Sequence, residues 1–351
     1  MSSFKLVNNF FYSMNSISKK KKCYPISENI TNYLKKYGRK VELPLSYDSL
    51  LQYTESFPVG KTLWVSVMYP SDIFQEINKG LCFVYSLLKT DGDISVIEHL
   101  RVDSVDFCLF GNSNPFRIKI INNFNDNYDY FYVKKTDISR ILGLELEDIL
   151  SPNRINYFVD GNTLIEEHIS GIPGDDFIST ELSHPKTNKT RLAKEFIKFN
   201  ERCFYTLLGD MRSYNYVVEI THDFDDVQYR IRSIDFDQQC YEGNKKIYLP
   251  QFYKENNKLV KLVTDLLNPQ TINQYQIEER SRIARRLKHS RYILKDLFET
   301  VEKEELSTQK KIDQLKIALA AHHNDDRFLK CTSMARVLKL HLITLRKVVI
   351  K

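Results

Sequence analysis

The sequence predicts an α+β protein in which a small antiparallel β-rich lobe precedes a larger, mainly helical lobe. Three observations lead to this prediction. β-branched and aromatic segments separated by polar turns fill residues 105–133, apolar residues recur at helical spacing from about residue 186, and Gly171, Pro173 and Gly174 mark a break between the two patterns. With 351 residues, the chain is long enough for two lobes.

The order of elements in the small lobe supports this reading. Val105–Phe110, Phe116–Ile121 and Tyr130–Val133 are separated by two polar turns, which predicts an antiparallel meander. Further along, Ile155–Val159 and Thr163–Ile169 are joined by an Asp-Gly turn, which is typical of a hairpin. We therefore expect five strands before the break.

A helix is predicted between the meander and the hairpin. Asp137 can cap it, and apolar residues share one face as far as Leu150. Gly143 weakens the helical propensity of the segment. The helical lobe then begins with a helix over about 186–207, in which apolar residues step by four, three and four.

These patterns divide the chain into regions. Residues 1–25 are predicted to be a flexible N-terminal tail, and residues 26–100 a mostly helical extension. Residues 101–170 are expected to form the β-rich lobe, and residues 171–351 the helical lobe, which includes the loop 208–218.

The composition excludes several classes of protein. Hydrophobic residues make up 42% of the chain, yet no apolar run approaches the roughly 18 residues of a membrane-spanning helix. Six cysteines are scattered without a CxxC pair, which is typical of reduced thiols in a cytoplasm rather than of a zinc site. The 51 basic residues are spread among 45 acidic ones, which leaves a net charge of only +6. A nucleic-acid partner is therefore not expected. We expect a cytoplasmic protein with no membrane partner.

Residues suited to phosphate and metal chemistry gather in segment 208–237. Asp210 and Asn215 lie five positions apart after a predicted helix, and Asp235 directly follows the apolar strand Tyr229–Ile234. Phosphoryl transfer from ATP needs an Asp at the acceptor hydroxyl, and an Asn and a second Asp that hold Mg²⁺ against the phosphates. Because Asn215 and Asp235 flank one predicted hairpin, we expect them to meet in space.

The segment L-G-D-M-R-S-Y-N-Y-V-V, followed by S-I-D-F-D, resembles the protein-kinase-like superfamily, nearest its aminoglycoside-phosphotransferase and HipA-type branches. The resemblance implies a bilobal protein-kinase-like fold, with Asp210 as the catalytic residue. It also implies that Asn215 and Asp235 bind Mg²⁺, with Asp237 as an additional acidic ligand. The sequence departs from the family pattern at Leu208, where a His normally precedes the Gly-Asp.

The same resemblance implies a lysine that neutralises phosphate at the end of the third strand. Lys134 fits this place, whereas Lys119 matches the V-A-I-K pattern more closely but comes one strand too early. The acidic partner of this lysine is expected on the following helix, where Glu145 and Glu147 both qualify. We prefer Lys134 and Glu145, and leave both alternatives open.

Two further segments are implied to contact ATP. The turn between the first two strands of the meander would cover the phosphates: Gly111, Asn112 and Ser113. The strand end before the break would bind the edge of the adenine through its backbone: Glu167, His168 and Ile169.

Together these features predict an ATP- and Mg²⁺-dependent phosphotransferase whose acceptor is a protein or a small molecule. The acceptor itself has no signature in the sequence. The alternatives are a pseudokinase or nucleotide-binding interaction module, a kinase-fold enzyme that transfers another group such as a nucleotidyl, and a nucleic-acid-binding protein that uses its basic helices.

Overall fold

Helices and strands alternate in the first half of the chain, and helices dominate the second half. The computed structural model describes residues 21–60, 62–90, 92–109, 112–223 and 226–345. The α-helices are α1 (Glu28–Lys36), α2 (Tyr47–Leu50), α3 (Ser71–Lys89), α4 (Ile138–Leu150), α5 (Gly174–Ser179), α6 (Lys189–Thr206), α7 (Asn257–Leu266), α8 (Pro269–His289), α9 (Arg291–Val301), α10 (Gln309–His323) and α11 (Met334–Thr344). The strands are β1 (Glu55–Pro58), β2 (Trp64–Met68), β3 (Leu100–Cys108), β4 (Phe116–Asn122), β5 (Tyr128–Lys135), β6 (Tyr157–Asp160), β7 (Thr163–Glu167), β8 (Ile172–Pro173), β9 (Tyr216–Asp223) and β10 (Asp226–Ser233).

Strands β1 to β7 form one antiparallel sheet in the order β1-β2-β3-β4-β5-β7-β6. Alternate residues of β4, such as Phe116, Ile118 and Ile120, are buried, as expected for a sheet that covers a core on one face. They share an apolar core with Leu81 and Val84 of helix α3. The predicted α+β class, with an antiparallel sheet followed by a helical lobe, is confirmed.

The extension before residue 101 contributes strands as well as helices. Strands β1 and β2 pair with each other, and β2 pairs with β3 through the register Trp64↔Cys108. Residues 26–100 were expected to be mostly helical, and the β1–β2 hairpin had no place in that expectation. It widens the sheet and places Trp64 beside β3.

Helix α4 begins where its cap predicts. The Asp137 carboxylate accepts a hydrogen bond from the Ser139 backbone N–H at 2.9 Å, which satisfies one of the unpaired donors of the first turn. Residues of α4 belong to the same apolar core as the helical lobe, not to the core of the sheet. Gly143 allows this packing, because a Cβ at this position would lie 2.8 Å from the Cβ of Phe236.

Residues 21–25 are packed against the protein, which corrects their assignment to a flexible tail. Tyr24 is buried, and its backbone N–H donates to the Asp137 carboxylate at 2.8 Å. The Lys21 ammonium forms a buried ion pair with the same carboxylate at 2.7 Å. Residues 1–20 of the predicted tail lie outside the described residues.

Helix α6 runs through the helical lobe, and its apolar face is the one that the sequence predicts. Leu192, Phe196, Phe199 and Cys203 are all buried. The helix ends at Thr206, and the next residue, Leu207, has a left-handed φ of 56° that turns the chain into the loop that carries Asp210. In the described part of the chain, no helix combines the length and the apolar character needed to cross a bilayer.

Candidate active site

A cleft of about 360 Å³ lies between the sheet and the β9–β10 hairpin. The sheet contributes Lys134 of β5 and Glu166 of β7 to its lining, and the hairpin contributes Asn215 and Asp235 from its two ends. A cleft of this size, mostly apolar with a few polar groups, is typical of small-molecule sites.

The loop before β9 holds Asp210 in an uncommon backbone conformation. Its φ is 58°, in the left-handed region that Asp adopts more readily than most residues but still at a cost in energy. Its backbone N–H lies 3.0 Å from the Tyr253 hydroxyl oxygen and 3.3 Å from the Ile247 carbonyl oxygen. On the other side, the Asn215 amide Nδ2 donates to the Asp210 carbonyl at 2.7 Å. The loop is therefore fixed by a hydrogen bond within it and by hydrogen bonds to Tyr253 and Ile247.

Asn215 and Asp235 stand at the base of one hairpin. Tyr216 and Ser233 are paired across β9 and β10, and the Ile234 backbone N–H donates to the Asn215 carbonyl at 3.1 Å. Both residues line the cleft, so the structure brings them together as the sequence predicts. Because Nδ2 of Asn215 is committed to Asp210, its Oδ1 is the atom suited to binding a cation.

Asp237 forms an ion pair with Arg140. Its Oδ1 accepts from the Arg140 Nε at 2.6 Å and also contacts the Arg140 Nη2, and both side chains are buried. Burial alone would raise the pKa of Asp237, but Arg140 and Lys134 hold it below its ordinary value. With one oxygen already used by Arg140, Asp237 is less available to a metal ion than the sequence suggested.

The pKa of Asp235 is shifted in the opposite direction from the pKa of Asp237. Its removal from water and the neighbouring charge of Asp237 raise its pKa to about 7, against the opposing effect of Lys134. The Asp237 backbone N–H donates to the Asp235 Oδ1 at 3.0 Å and fixes the orientation of the carboxylate. Two adjacent acids with pKa values shifted apart are a recurrent feature of functional sites.

Arg212 was missed by the sequence reasoning. Its Nε donates to the Asp210 Oδ1 at 2.9 Å, and its Nη1 donates to Glu255 at 2.8 Å. Burial raises the pKa of the Asp210 carboxyl above its ordinary value, while Arg212 partly opposes that shift. A basic residue two positions after the Asp, in the same loop, was the available signal.

Lys134 is buried in the cleft, and its acidic partner is Glu166 rather than a residue of helix α4. The Lys134 ammonium donates to the Glu166 Oε2 at 2.5 Å, and both side chains are almost fully buried. The sheet register explains the pairing, because Tyr132 lies directly opposite Glu166 and Lys134 is two residues further along β5 on the same face. The expectation of Glu145 or Glu147 as the partner was wrong.

Glu145 instead belongs to the core around helix α1. Its carboxylate accepts from the Tyr33 hydroxyl at 2.5 Å and from the Tyr157 hydroxyl, and it lies 3.5 Å from Arg39. Glu147 accepts from the Asn153 amide at 2.9 Å. Neither acid is among the described residues that line the cleft.

Lys119, the alternative lysine, lies on β4 and forms an ion pair with Asp103 at 2.8 Å, with about a quarter of its side chain exposed. It is not among the described residues that line the cleft. The geometry therefore favours Lys134 as the lysine of the site.

The predicted phosphate-covering turn is only partly described. Gly111 lies outside the described residues. Ser113 lines the cleft, whereas Asn112 lines a smaller adjoining cavity of about 80 Å³ and accepts from the Lys21 backbone N–H at 3.0 Å. Residues 112–113 thus border the end of the cleft where Asp237 and Arg140 lie.

The predicted adenine-binding segment lies along one wall of the cleft, where Glu167, His168 and Ile169 all belong to its lining. The His168 Nδ1 lies 3.3 Å from the Tyr132 hydroxyl oxygen, and burial lowers the pKa of His168. A neutral imidazole at this wall is a packing and hydrogen-bonding group, in keeping with a contact role.

Two aromatic side chains beside this segment, Trp64 and Tyr132, form an aromatic wall of the cleft, and the sequence reasoning missed them. The Trp64 ring lies 6.4 Å from that of Tyr132, and the Arg117 guanidinium lies 4.6 Å from the Trp64 ring. Aromatic faces of this kind suit the stacking of a planar base. Trp64 is the only tryptophan of the chain, so its fluorescence reports on the cleft.

The donor set suits a hard cation. Among the described residues, no three or more His, Cys, Asp and Glu side chains cluster in a way that would hold a metal ion by themselves. The cleft offers an amide oxygen from Asn215 and a carboxylate from Asp235. This sparse oxygen set fits Mg²⁺, which keeps several waters and shares its ligands with phosphate.

No protein-family model matches the chain, and no curated protein matches it. Solved structures of protein kinases are similar to it at low identity. The Rio2 kinase–ADP/Mg²⁺–phosphoaspartate complex from Chaetomium thermophilum has a TM-score of 0.32 and 10% identity, over 92% of this chain and 97% of that one. The autoinhibited serine kinase domain of the giant muscle protein titin has a TM-score of 0.29 and 13% identity, over 62% of this chain and 88% of that one.

Titin kinase with its flanking domains has a TM-score of 0.27 and 12% identity, over 69% of this chain and 54% of that one. None of these three structures is an aminoglycoside phosphotransferase or a HipA protein, so they lend no support to that branch. All three likenesses are distant.

Proposed function

We propose that the cleft binds ATP with Mg²⁺ and that the protein transfers a phosphoryl group to an acceptor hydroxyl. One observation carries the proposal. Asn215 clamps the Asp210 carbonyl with its Nδ2 and faces the cleft together with Asp235, across from the buried cation of Lys134. Phosphoryl transfer depends mainly on this kind of positioning and charge neutralisation.

Lys134 and Glu166 form the phosphate-binding pair in this proposal. A lysine is a compact cation that can pair with phosphate oxygens, and Glu166 holds it in place with a charge-assisted hydrogen bond of 2.5 Å. Asn215 and Asp235 would hold Mg²⁺, which neutralises the charge that develops on the phosphates. The aromatic wall and the segment 167–169 would hold the base.

Asp210 is the residue proposed to meet the acceptor. Its side chain is about one-third exposed, so an acceptor hydroxyl can reach it from solvent. The bond that Asn215 donates to the Asp210 carbonyl and the bond that the Asp210 N–H donates to Tyr253 fix its left-handed backbone, and Arg212 orients the carboxylate. Proton acceptance from a hydroxyl needs this positioning first and a suitable pKa second.

The test combines nucleotide binding with transfer. Radiolabelled ATP is incubated with the protein, Mg²⁺ and panels of protein and small-molecule acceptors. Asp235→Asn and Asp210→Asn should both abolish transfer, and Asn is chosen at 210 because it tolerates a left-handed backbone as Asp does. Asp265→Asn, at an exposed position of α7, is the matched control and should keep wild-type activity. Asp210 is not among the described residues that line the cleft, but it is hydrogen-bonded to Asn215, which is. Transfer that survives both substitutions would overturn the proposal.

A second candidate, a nucleotide-binding module that transfers nothing, is favoured by one observation. Arg212 donates a hydrogen bond to the Asp210 Oδ1, and that contact competes with the acceptor for this oxygen. Titration of Trp64 fluorescence with ATP and Mg²⁺ separates the two candidates. Saturable binding that depends on Asp235, without transfer to any acceptor in the panels, would favour the module.

The placement near the aminoglycoside-phosphotransferase and HipA-type branches remains a proposal that rests on the Gly209-Asp210 pair and the spacing to Asn215. The first branch would have a small-molecule acceptor and the second a protein acceptor. Transfer to one acceptor panel and not to the other decides between the two.

A further inference from the structure

Glu166 has one carboxylate oxygen that no described residue hydrogen-bonds. It is a buried residue of β7 that lines the cleft, and its Oε2 accepts from Lys134. The other oxygen, Oε1, is buried and makes no hydrogen bond within the described part of the chain. A buried acceptor without a donor costs about 1–3 kcal/mol, so a ligand that supplies a donor there gains affinity.

The position of Glu166 suggests which part of a nucleotide would supply that donor. It directly precedes Glu167, His168 and Ile169, which form the wall expected to hold the edge of the base. It also lies directly across the sheet from Tyr132, which belongs to the aromatic wall. A base whose edge meets residues 167–169 would therefore lie beside Glu166.

We propose that Oε1 of Glu166 selects adenine by accepting a hydrogen bond from its 6-amino group, and rejects bases that carry a 6-carbonyl. Adenine presents an N–H donor at this position, whereas guanine and hypoxanthine present an acceptor. Two acceptors that face each other in a buried site leave both groups unpaired. This inference rests on the proposed function, since it assigns the base specificity of the same cleft.

The charge of Lys134 makes the inference testable by one isosteric change. In Glu166→Gln, Lys134 can only donate, so the amide oxygen is held towards the ammonium and the amide N–H₂ takes the place of Oε1. The cleft then offers a donor where it previously offered an acceptor. We therefore expect the preference between 6-amino and 6-oxo purines to invert rather than merely to weaken.

The experiment measures the affinities for ATP and inosine triphosphate (ITP), with Mg²⁺, by Trp64 fluorescence. These nucleotides differ in the 6-substituent of the base and in the N1 hydrogen that accompanies it. We expect wild-type protein to favour ATP by roughly 10- to 100-fold. Glu166→Gln should favour ITP, and Glu299→Gln, an exposed residue of α9, should keep the wild-type ratio. Thermal melting confirms that each variant is folded.

The outcomes separate the two levels of the proposal. Equal affinities for ATP and ITP in wild-type protein overturn the inference and leave the proposed function standing. A Glu166→Gln variant that loses affinity for both nucleotides equally shows a residue that only positions Lys134, and this also overturns it. Absence of binding by either nucleotide to wild-type protein overturns the inference and the proposed function together.

Discussion

Substitution of Gly143 by alanine tests the contact that joins helix α4 to the acidic segment of the cleft. A Cβ at position 143 would lie 2.8 Å from the Cβ and 2.9 Å from the Cδ1 of Phe236, closer than such atoms approach in proteins. Phe236 is buried and lies between Asp235 and Asp237 in the sequence. Because its Cβ is attached to the backbone, the Cβ cannot move without moving both acids. Overpacking of this kind costs about 1–3 kcal/mol.

Gly80 of helix α3 provides a matched control. A Cβ there would lie 2.7 Å from the Leu45 Cδ2, which is the far end of a flexible side chain and can rotate away. Alanine gains up to about 1 kcal/mol over glycine in the middle of either helix. We therefore expect Gly80→Ala to be neutral or stabilising, and Gly143→Ala to be less stable than Gly80→Ala by about 1–3 kcal/mol.

Urea denaturation followed by circular dichroism gives both free energies of unfolding. If Gly143→Ala is as stable as Gly80→Ala, the close packing of α4 on Phe236 is refuted. A second readout is Mg²⁺ affinity, which we expect to fall in Gly143→Ala alone, because displacement of Phe236 shifts Asp235.

Three further predictions concern the charged groups. Arg140→Leu leaves Asp237 buried without its cation and should lower the free energy of unfolding, measured by urea denaturation, by about 3–5 kcal/mol. The double variant Arg140→Leu/Asp237→Leu should restore most of this loss. A double variant no more stable than the single one refutes the prediction. Mg²⁺ affinity should rise by about tenfold from pH 6 to pH 8, since Asp235, with a pKa of about 7, must lose its proton to bind a cation. Isothermal titration calorimetry that gives the same affinity at both pH values contradicts this. Glu145→Gln should lower stability by about 1–3 kcal/mol and leave ATP affinity unchanged, whereas a fall in affinity would place it in the cleft.

The local elements of this fold could be predicted from the sequence because their signals are local. The cap at Asp137, the Asp-Gly hairpin and the helical spacing from Leu192 to Cys203 each depend on a few neighbouring residues. Asn215 and Asp235 could be paired for the same reason, since a single hairpin joins them. The hairpin signal was therefore sufficient to predict that Asn215 and Asp235 lie close together.

The partners across the sheet could not be predicted in this way. Glu166 reaches Lys134 because β7 pairs with β5, and two chain segments 32 residues apart set that register. Glu145 was assigned by its place on a helix, yet the direction of its side chain is decided by packing against Tyr33 and Tyr157. Trp64 was missed because its strand joins the sheet from a region that looked helical.

The central claim is that Asn215 and Asp235 hold one Mg²⁺ ion against the phosphates of ATP in this cleft. A crystal structure of the protein with Mg²⁺ and a non-hydrolysable ATP analogue tests it most directly. We predict one cation within about 2.1 Å of the Asn215 Oδ1 and of an Asp235 carboxylate oxygen, with the Lys134 ammonium at the phosphates. An analogue bound outside the cleft, or a cation that contacts neither residue, would contradict it.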